Sequence, residues 1–294
     1  MMKKIDKAVE NFKRIDDIFK CPLCGREMKV VEKSLICENK HCFDISKQGY
    51  INFLTRSPNN DYGKEMLESR NLICKCGFFD PILRGVSNFI NNKISSNNNS
   101  KYFILDAGCG EGSHLNKIIN NLHEDTKKEF NGIGIDISKD GIHIASREYE
   151  KQIWCAADLA KLPFMNNQFD FILNIFSPSN YLEFKRILKD GGSVIKVVPE
   201  EGYLKELRNA FYDEEDKKNY SNEKVVNHFN ENFKIINRQR ITYNFTLENQ
   251  NIGHLIKMTP LSWSADEEKI EKVLSMNINS FTVDVSIIEG SIIK

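Results

Sequence analysis

The chain reads as an α/β protein. A doubly wound parallel sheet with two longer strands at its C-terminal end follows a small β module. Three observations predict this. From residue 102 onward, apolar strand-like runs alternate with helical patterns. A glycine-rich turn, Asp106-Ala107-Gly108-Cys109-Gly110-Glu111-Gly112, follows the first of those runs. A tight Cys/His cluster, Cys21-Pro22-Leu23-Cys24 with Cys37 and His41-Cys42, stands ahead of them all. The 294 residues suffice for one large and one small domain, and 40% apolar residues suffice for a core.

Residues 1–20 place Ile5, Val9, Phe12, Ile15, Ile18 and Phe19 at near-helical spacing, which predicts a leading amphipathic helix. Residues 21–58 form the small module, in which Met28–Val31 and Ser34–Ile36 pair as a hairpin. Residues 55–63 read as a linker, and 59–294 as the large domain. Helices are expected over 64–76 and 79–94, and a loop over 95–100. Strand 102–105 leads through the glycine turn into a helix near 113–122. Strand 132–136 precedes a helix near 139–150, and strand 153–156 follows it. Strand 169–174 precedes a helix near 179–189, and Gly191-Gly192 turns into strand 193–198. Residues 234–247 and 280–288 are the two longer strands, with helical segments between them.

Several function classes drop out. No stretch approaches the roughly 20 apolar residues that cross a bilayer, so no membrane role is expected. Met1 to Lys20 mixes Lys with Asp and Glu and has no apolar h-region, so a cytoplasmic location is expected. Zero net charge counts against an RNA-binding role, since many such proteins are basic. The charge is uneven, however. Residues 1–60 hold 12 Lys and Arg against 8 Asp and Glu, which leaves the rest of the chain negative.

The glycine turn lets backbone approach a ligand where side chains would collide. The run D-x-G-x-G-x-G is more compact than the G-x-G-x-x-G of dinucleotide sites and opens with an acid. Asp106 therefore suits a ligand carrying an ammonium and a sulfonium rather than two phosphates. Asp136 closes the second strand, near a ribose diol, and Asp158 lies just past the third, where it would accept from an adenine amino group. Gly108, Gly110, Glu111 and Gly112 complete the expected donor site. The pattern resembles class I S-adenosylmethionine-dependent methyltransferases, whose fold closes with an antiparallel hairpin, as the two late strands would.

Cys21 and Cys24 present two thiolates to one ion, and a second half a dozen residues on completes a tetrahedron. Cys37 supplies the third ligand, and the spacing permits either His41 or Cys42 as the fourth. Four protein ligands leave no open position for water, so the zinc ion is expected to be structural. Cys74 and Cys76 read as ordinary residues of a helix.

With both parts placed, the chain resembles the bacterial 23S rRNA guanine-N1-methyltransferases of the RlmA type over nearly its full length. The carriers are Cys21-Pro22-Leu23-Cys24; Cys37 with His41; Phe43-Asp44; Gly49-Tyr50-Ile51-Asn52; Asp106 to Gly112; Leu162-Pro163-Phe164; Ile175-Phe176-Ser177-Pro178; Gly191-Gly192; and Met258-Thr259-Pro260-Leu261-Ser262-Trp263. The resemblance implies Cys21, Cys24, Cys37 and His41 as zinc ligands and Gly110 and Glu111 as donor contacts. Two further donor-contact positions, where the family can carry Tyr and His, hold Phe79 and Tyr203 here. It also implies a 23S rRNA hairpin as partner, with its guanine unpaired or flipped so that N1 is reachable. Phe176 and Trp263 are expected to offer stacking surface, and Asn174 or the Ser177-Pro178 backbone to orient the base edge. The loop 174–179 has no carboxylate or His, so it names no general base. A homodimer would gather two basic modules into one RNA cleft. Two other readings are a methyltransferase acting on another RNA or a small molecule, and a non-catalytic RNA-binding protein. Binding of S-adenosylmethionine separates the last from the others.

Overall fold

A computed structural model of the chain describes residues 2–56, 63–95, 99–212, 220–263 and 265–293. Helix α1 (Lys4–Lys13) buries Ala8 and Phe12. The helix expected over 1–20 stops there; a 3-10 turn, Asp16–Ile18, follows, and the chain straightens at Phe19. Tertiary hydrogen bonds override the helical spacing. Lys20 N donates to Pro163 O at 3.0 Å and Met28 N to Phe19 O at 3.2 Å. Phe19 thereby inserts among the rings of Phe12, Phe53 and Phe164, at 5.5–6.1 Å between centroids.

Strands β1 (Met28–Val31), β2 (Ser34–Cys37) and β3 (Cys42–Asp44) form a three-stranded antiparallel sheet in that order, which includes the expected hairpin. Strand β4 (Tyr50–Asn52) does not join it. It pairs in parallel with β7 (Ile153–Ala156), at the edge of the large sheet. The boundary expected at 58/59 and most of the expected linker lie outside the described residues. The small module and the sheet nonetheless share one apolar core, in which Phe12, Phe19, Met28, Leu35 and Phe53 pack with Leu105, Ile133 and Phe164.

Helices α2 (Lys64–Lys75) and α3 (Asp80–Ser95) match expectation. The alternation follows as β5 (Lys101–Ala107), α4 (Ser113–Asp125), β6 (Glu129–Asp136), α5 (Lys139–Glu148), β7, β8 (Phe169–Ile175), α6 (Tyr181–Ile187) and β9 (Leu188–Pro199). Asn180 caps α6 through a hydrogen bond from Glu183 N, so this helix starts later than 179 and yields to β9 at Leu188. Beyond β9 come α7 (Lys205–Phe211), α8 (Glu223–Asn232), β10 (Phe233–Thr246), α9 (Asn249–Met258), α10 (Glu267–Ser275) and β11 (Ser280–Ile292). The eight strands run in the order β10-β11-β9-β8-β5-β6-β7-β4. Strands β4 to β9 pair in parallel, and β9, β11 and β10 pair antiparallel, as the expected closing hairpin. Strand order reverses between β5 and β8, so a crevice opens at their carboxyl ends. No described helix is long and apolar enough to cross a membrane.

Candidate active site and metal centre

The glycine turn joins β5 to α4 at that crevice. Gly108 N and Cys109 N both donate to Ile135 O, at 2.8 and 2.9 Å, which ties the turn to β6. Gly108 has φ +83°, and a Cβ there would lie 2.6 Å from the Ser177 Cβ. Gly112 has φ +85°, and its Cβ would lie 2.6 Å from the Trp154 ring. Both positions demand glycine for space as well as for dihedral angle.

Three carboxylates, Asp106, Glu111 and Asp136, lie in or against the glycine turn. Asp106 is 2% exposed and accepts no hydrogen bond from the described residues. Burial pushes its pKa up to about 7 against the pull of Arg70, and Asp136 and Glu111 push the same way. Asp136 accepts from Gly110 N and Ser138 N, each at 2.8 Å, so its orientation is fixed by the turn it faces. Glu111 is fully buried and turned inward. It accepts from Ser113 Oγ at 2.7 Å, Ser113 N at 3.2 Å and Asn71 Nδ2 at 3.1 Å. Asp158 lies exposed at the rim past β7, where its Oδ1 accepts from Ala160 N at 2.8 Å.

The loop after β8 closes on the glycine turn from the other side. Ser177 Oγ donates to Ala107 O at 2.6 Å. Asn174, expected at the base edge, is fully buried instead. Its Nδ2 donates to Ser177 Oγ at 2.7 Å and Pro178 O at 2.8 Å, and its Oδ1 accepts from Lys196 Nζ. Asn174 thus braces the loop from beneath. Pro178 itself is exposed. Phe176 holds φ +53°, a left-handed conformation worth about 1–3 kcal/mol of strain in a bulky residue. This puts its ring between Phe79 and Tyr203, at 5.9 and 5.6 Å. The three rings face a cavity of about 690 Å³, and Trp263, 48% exposed, stands on its wall. The described residues lining this cavity include three cations, Arg70, Lys196 and Arg208, and no carboxylate.

The metal cluster is complete. One ligand atom each from Cys21, Cys24, Cys37 and His41 falls within 4.8 Å of all the others. Cys24 Sγ lies 3.7 Å from Cys37 Sγ, and His41 Nδ1 lies 3.5 Å from the sulfurs of Cys21 and Cys37. A tetrahedral ion with bonds of roughly 2.0–2.3 Å has ligand–ligand edges of about 3.5–3.8 Å, so the residues fit zinc. Cys42 is exposed and turned toward Asp44, at 3.7 Å, which resolves the choice in favour of His41. The Arg26 N–H holds the Cys24 thiol down at about 6, ready to ligate as thiolate.

Four residues, Arg70, Asn71, Cys74 and Lys196, were not expected at the site. Arg70 and Asn71 come from α2, which reads as a plain amphipathic helix far upstream of the turn. Arg70 lies over Gly110, with Nη1 3.6 Å from where a Cβ would stand. Cys74, on the same helix, donates to Glu111 Oε1 at 3.9 Å, and so belongs to the crevice after all. Lys196 is 3% exposed, and burial lowers its pKa to about 8. Its signal was present in the sequence: a lone lysine inside Val194-Ile195-Lys196-Val197-Val198.

A glycine turn backed by strand-end acids, on a parallel sheet closed by an antiparallel hairpin, defines a class I methyltransferase that uses S-adenosylmethionine; a structural zinc site precedes it. Residues 19–56 match the family described as RlmA, N-terminal, a zinc ribbon, and residues 104–196 match the methyltransferase domain family. The chain is 45% identical to the putative 23S rRNA (guanine-N(1)-)-methyltransferase YxjB of Bacillus subtilis, over 93% of this chain and 96% of that one. It is 25% identical to the 23S rRNA (guanine(748)-N(1))-methyltransferase of Streptomyces fradiae, over 88% of this chain and 91% of that one. The chain belongs to the RlmA-type family of these methyltransferases.

Proposed function

We propose that the protein transfers a methyl group from S-adenosylmethionine to N1 of a guanine in a 23S rRNA hairpin. The observation that carries this reading is the contact between two loops. The loop 176–178 touches the end of β5 and the glycine turn through Ser177, and Ser177 and Arg70, which lies over Gly110, also line the aromatic, cation-bearing cavity, so the two sites adjoin. S-adenosylmethionine supplies a methyl group on a sulfonium that leaves readily, so alignment is the main work left to the protein. Asp106, Gly110 and Asp136 would hold the donor, with Phe79 and Tyr203 at its side and Asp158 at the adenine end. Glu111 holds the turn in shape through Ser113 and Asn71.

A flipped base would stack on Phe176 or Trp263, and sequence-tolerant stacking of this kind is worth about 1–3 kcal/mol per base. Guanine N1 must shed a proton during transfer, and negative charge then builds on the base. Walls whose described residues include Lys196, Arg208 and Arg70 and no carboxylate favour that charge. The zinc module, the more basic end of the chain, would grip the RNA beside the cavity. A homodimer would bring two such modules to one RNA.

The test is in vitro methylation of 23S rRNA fragments with labelled donor, followed by mapping of the modified base. The expected product is N1-methylguanine at one hairpin position. Label found only in other RNAs or in small molecules would overturn the rRNA reading, while donor binding would stand.

A further inference from the structure

Guanine N1 carries a proton at neutral pH, and the methyl group cannot take its place until that proton has somewhere to go. The described residues that line the cavity include no carboxylate and no histidine. The ionisable side chains on its wall other than Lys196 are Arg70, Tyr203, Arg208, Tyr212 and Tyr220. These are guanidiniums and phenols, and neither class accepts a proton near neutrality. Lys196 is left.

Its setting is that of a base. Lys196 is 3% exposed, within an apolar stretch of β9. Lysines are almost never buried so deeply unless paired with an acid. Among the described residues, Nζ donates to Asn174 Oδ1 and lies 5.9 Å from the ring centre of Tyr181 on α6, with no carboxylate beside it. Its register partner on β11 is the apolar Ile288. Burial without a counter-charge lowers its pKa to about 8, so part of it is neutral near neutrality. Asn174, opposite it on β8, limits what the amine can do. The Asn174 Nδ2 donates to the carbonyl oxygens of Ala107 and Pro178, at 3.4 and 2.8 Å, so Oδ1 is the end turned to Lys196. Oδ1 only accepts, so it takes one N–H of the amine and leaves the lone pair of the neutral form free. The loop that would carry the guanine is tied to the same strand, since Phe176 N donates to Val197 O at 3.3 Å.

We propose that Lys196 is the general base: its neutral amine takes the N1 proton of the bound guanine, while Asn174 holds the amine by one N–H. This rests on the guanine reading above. The N1–H bond breaks toward Nζ. The pair left on N1 forms the bond to the methyl carbon, and the pair of the methyl–sulfur bond goes to sulfur. Lys196 ends as an ammonium on the wall it shares with Arg70 and Arg208, and passes its proton to water.

The test is single-turnover methylation of the 23S fragment from pH 6 to pH 9, with donor and RNA saturating. Saturation keeps Asp106 ionised under its ligand, so its titration does not shape the profile. The wild-type rate is expected to rise about tenfold per pH unit at the acid end and to level off near the lysine pKa. A rate level over the whole range would overturn the proposal, and this measurement decides even where a variant fails to fold. Lys196→Met and Lys196→Arg are each expected to lose about 10²–10⁴-fold in rate. Their affinities for S-adenosylhomocysteine and for the RNA fragment stay within about threefold by calorimetry. In Lys196→Ala, a small primary amine added to the buffer restores part of the rate, in proportion to its unprotonated form. Lys196→Arg separates a base from a fixed cation, because a guanidinium keeps the charge and cannot accept the proton. Wild-type rate in Lys196→Arg would overturn the proposal. So would a loss confined to RNA affinity, since Lys196 would then only bind. Wild-type protein that methylates no 23S fragment would bring down the guanine reading itself, whereas an active Lys196→Arg protein brings down the role of Lys196 alone.

Discussion

At the scale of single residues, the carboxyl of Asp106 sits where pH and donor binding meet. Burial pushes it up to about 7 from an ordinary 3.8, with Arg70 opposing. The folded, ligand-free chain therefore binds a proton that the unfolded chain has lost between those two values. That contribution to stability is present below pH 3.8 and drains away as pH rises through about 7. A cationic ligand reverses the preference, because it needs the ionised form. Below pH 7, binding must expel the proton, at about 1.4 kcal/mol per pH unit. The affinity for S-adenosylhomocysteine, whose ammonium is intact, is expected to fall about tenfold between pH 8 and pH 6. Calorimetry at the two values reads this directly. In Asp106→Asn the affinity is weaker and level across the range. A wild-type profile equally level would show that Asp106 does not meet the ligand's charge.

At the scale of elements, the zinc module is held by metal at one end and by the sheet at the other. Strands β1, β2 and β3 are three or four residues long, too short for an independent ladder. Their turns bring the four ligands together, so zinc binding and local folding are one event. Strand β4 differs, because it pairs with β7 and Phe53 N donates to Ala156 O at 2.8 Å. Removing the metal with a chelator is expected to make the amides of 28–37 and 42–44 exchange rapidly. Ile51 and Phe53 stay protected, and affinity for S-adenosylhomocysteine stays within about twofold. Loss of protection at Phe53, followed by hydrogen exchange, would mean that the whole edge of the sheet depends on zinc. The same contrast explains what was legible in the sequence. The cysteine knuckle, the glycine turn and the strand–helix alternation are local patterns with a local cause, and each folds where its residues lie. Strand β4 is three residues with no alternation to announce it, and only its distant partner β7 makes it a strand. Arg70 and Asn71 are likewise ordinary on their own helix and acquire a role only when α2 lies across the turn. Asn174 misled for the opposite reason. It stands at the right loop, yet the amide is consumed by Ser177, Pro178 and Lys196 beneath it.

At the scale of the whole molecule, a chain of zero net charge that works on RNA must segregate its charges. The basic excess of residues 1–60 is carried by the zinc module and α1, while the donor crevice is acidic. Part of that excess is spent internally: Lys29 pairs with Asp16, Lys33 with Asp6 and Arg26 with Glu38. Lys40 and Lys47 are exposed. Lys40 stands in the turn beside the ligand His41, held at φ +61°, so a rigid metal centre presents its charge. Phosphate contacts release counterions, and each one adds about 0.7 to the slope of log affinity against log salt for a single strand, about 0.9 for a duplex. The double variant Lys40→Ala, Lys47→Ala is expected to weaken binding of the 23S fragment and to lower that slope by about 1.4 to 1.8. Donor affinity is unchanged, because neither residue approaches the crevice. A slope equal to that of the wild-type protein, measured by titration from low to moderate salt, would move the RNA off the zinc module. The next basic surface is the exposed strand β10 at the other edge of the sheet, where Arg238 and Arg240 stand out from the ladder. Their guanidinium groups are already paired with Glu200 and Asp284, so an RNA held there would have to compete for them. That competition is why the zinc module is the surface to test first.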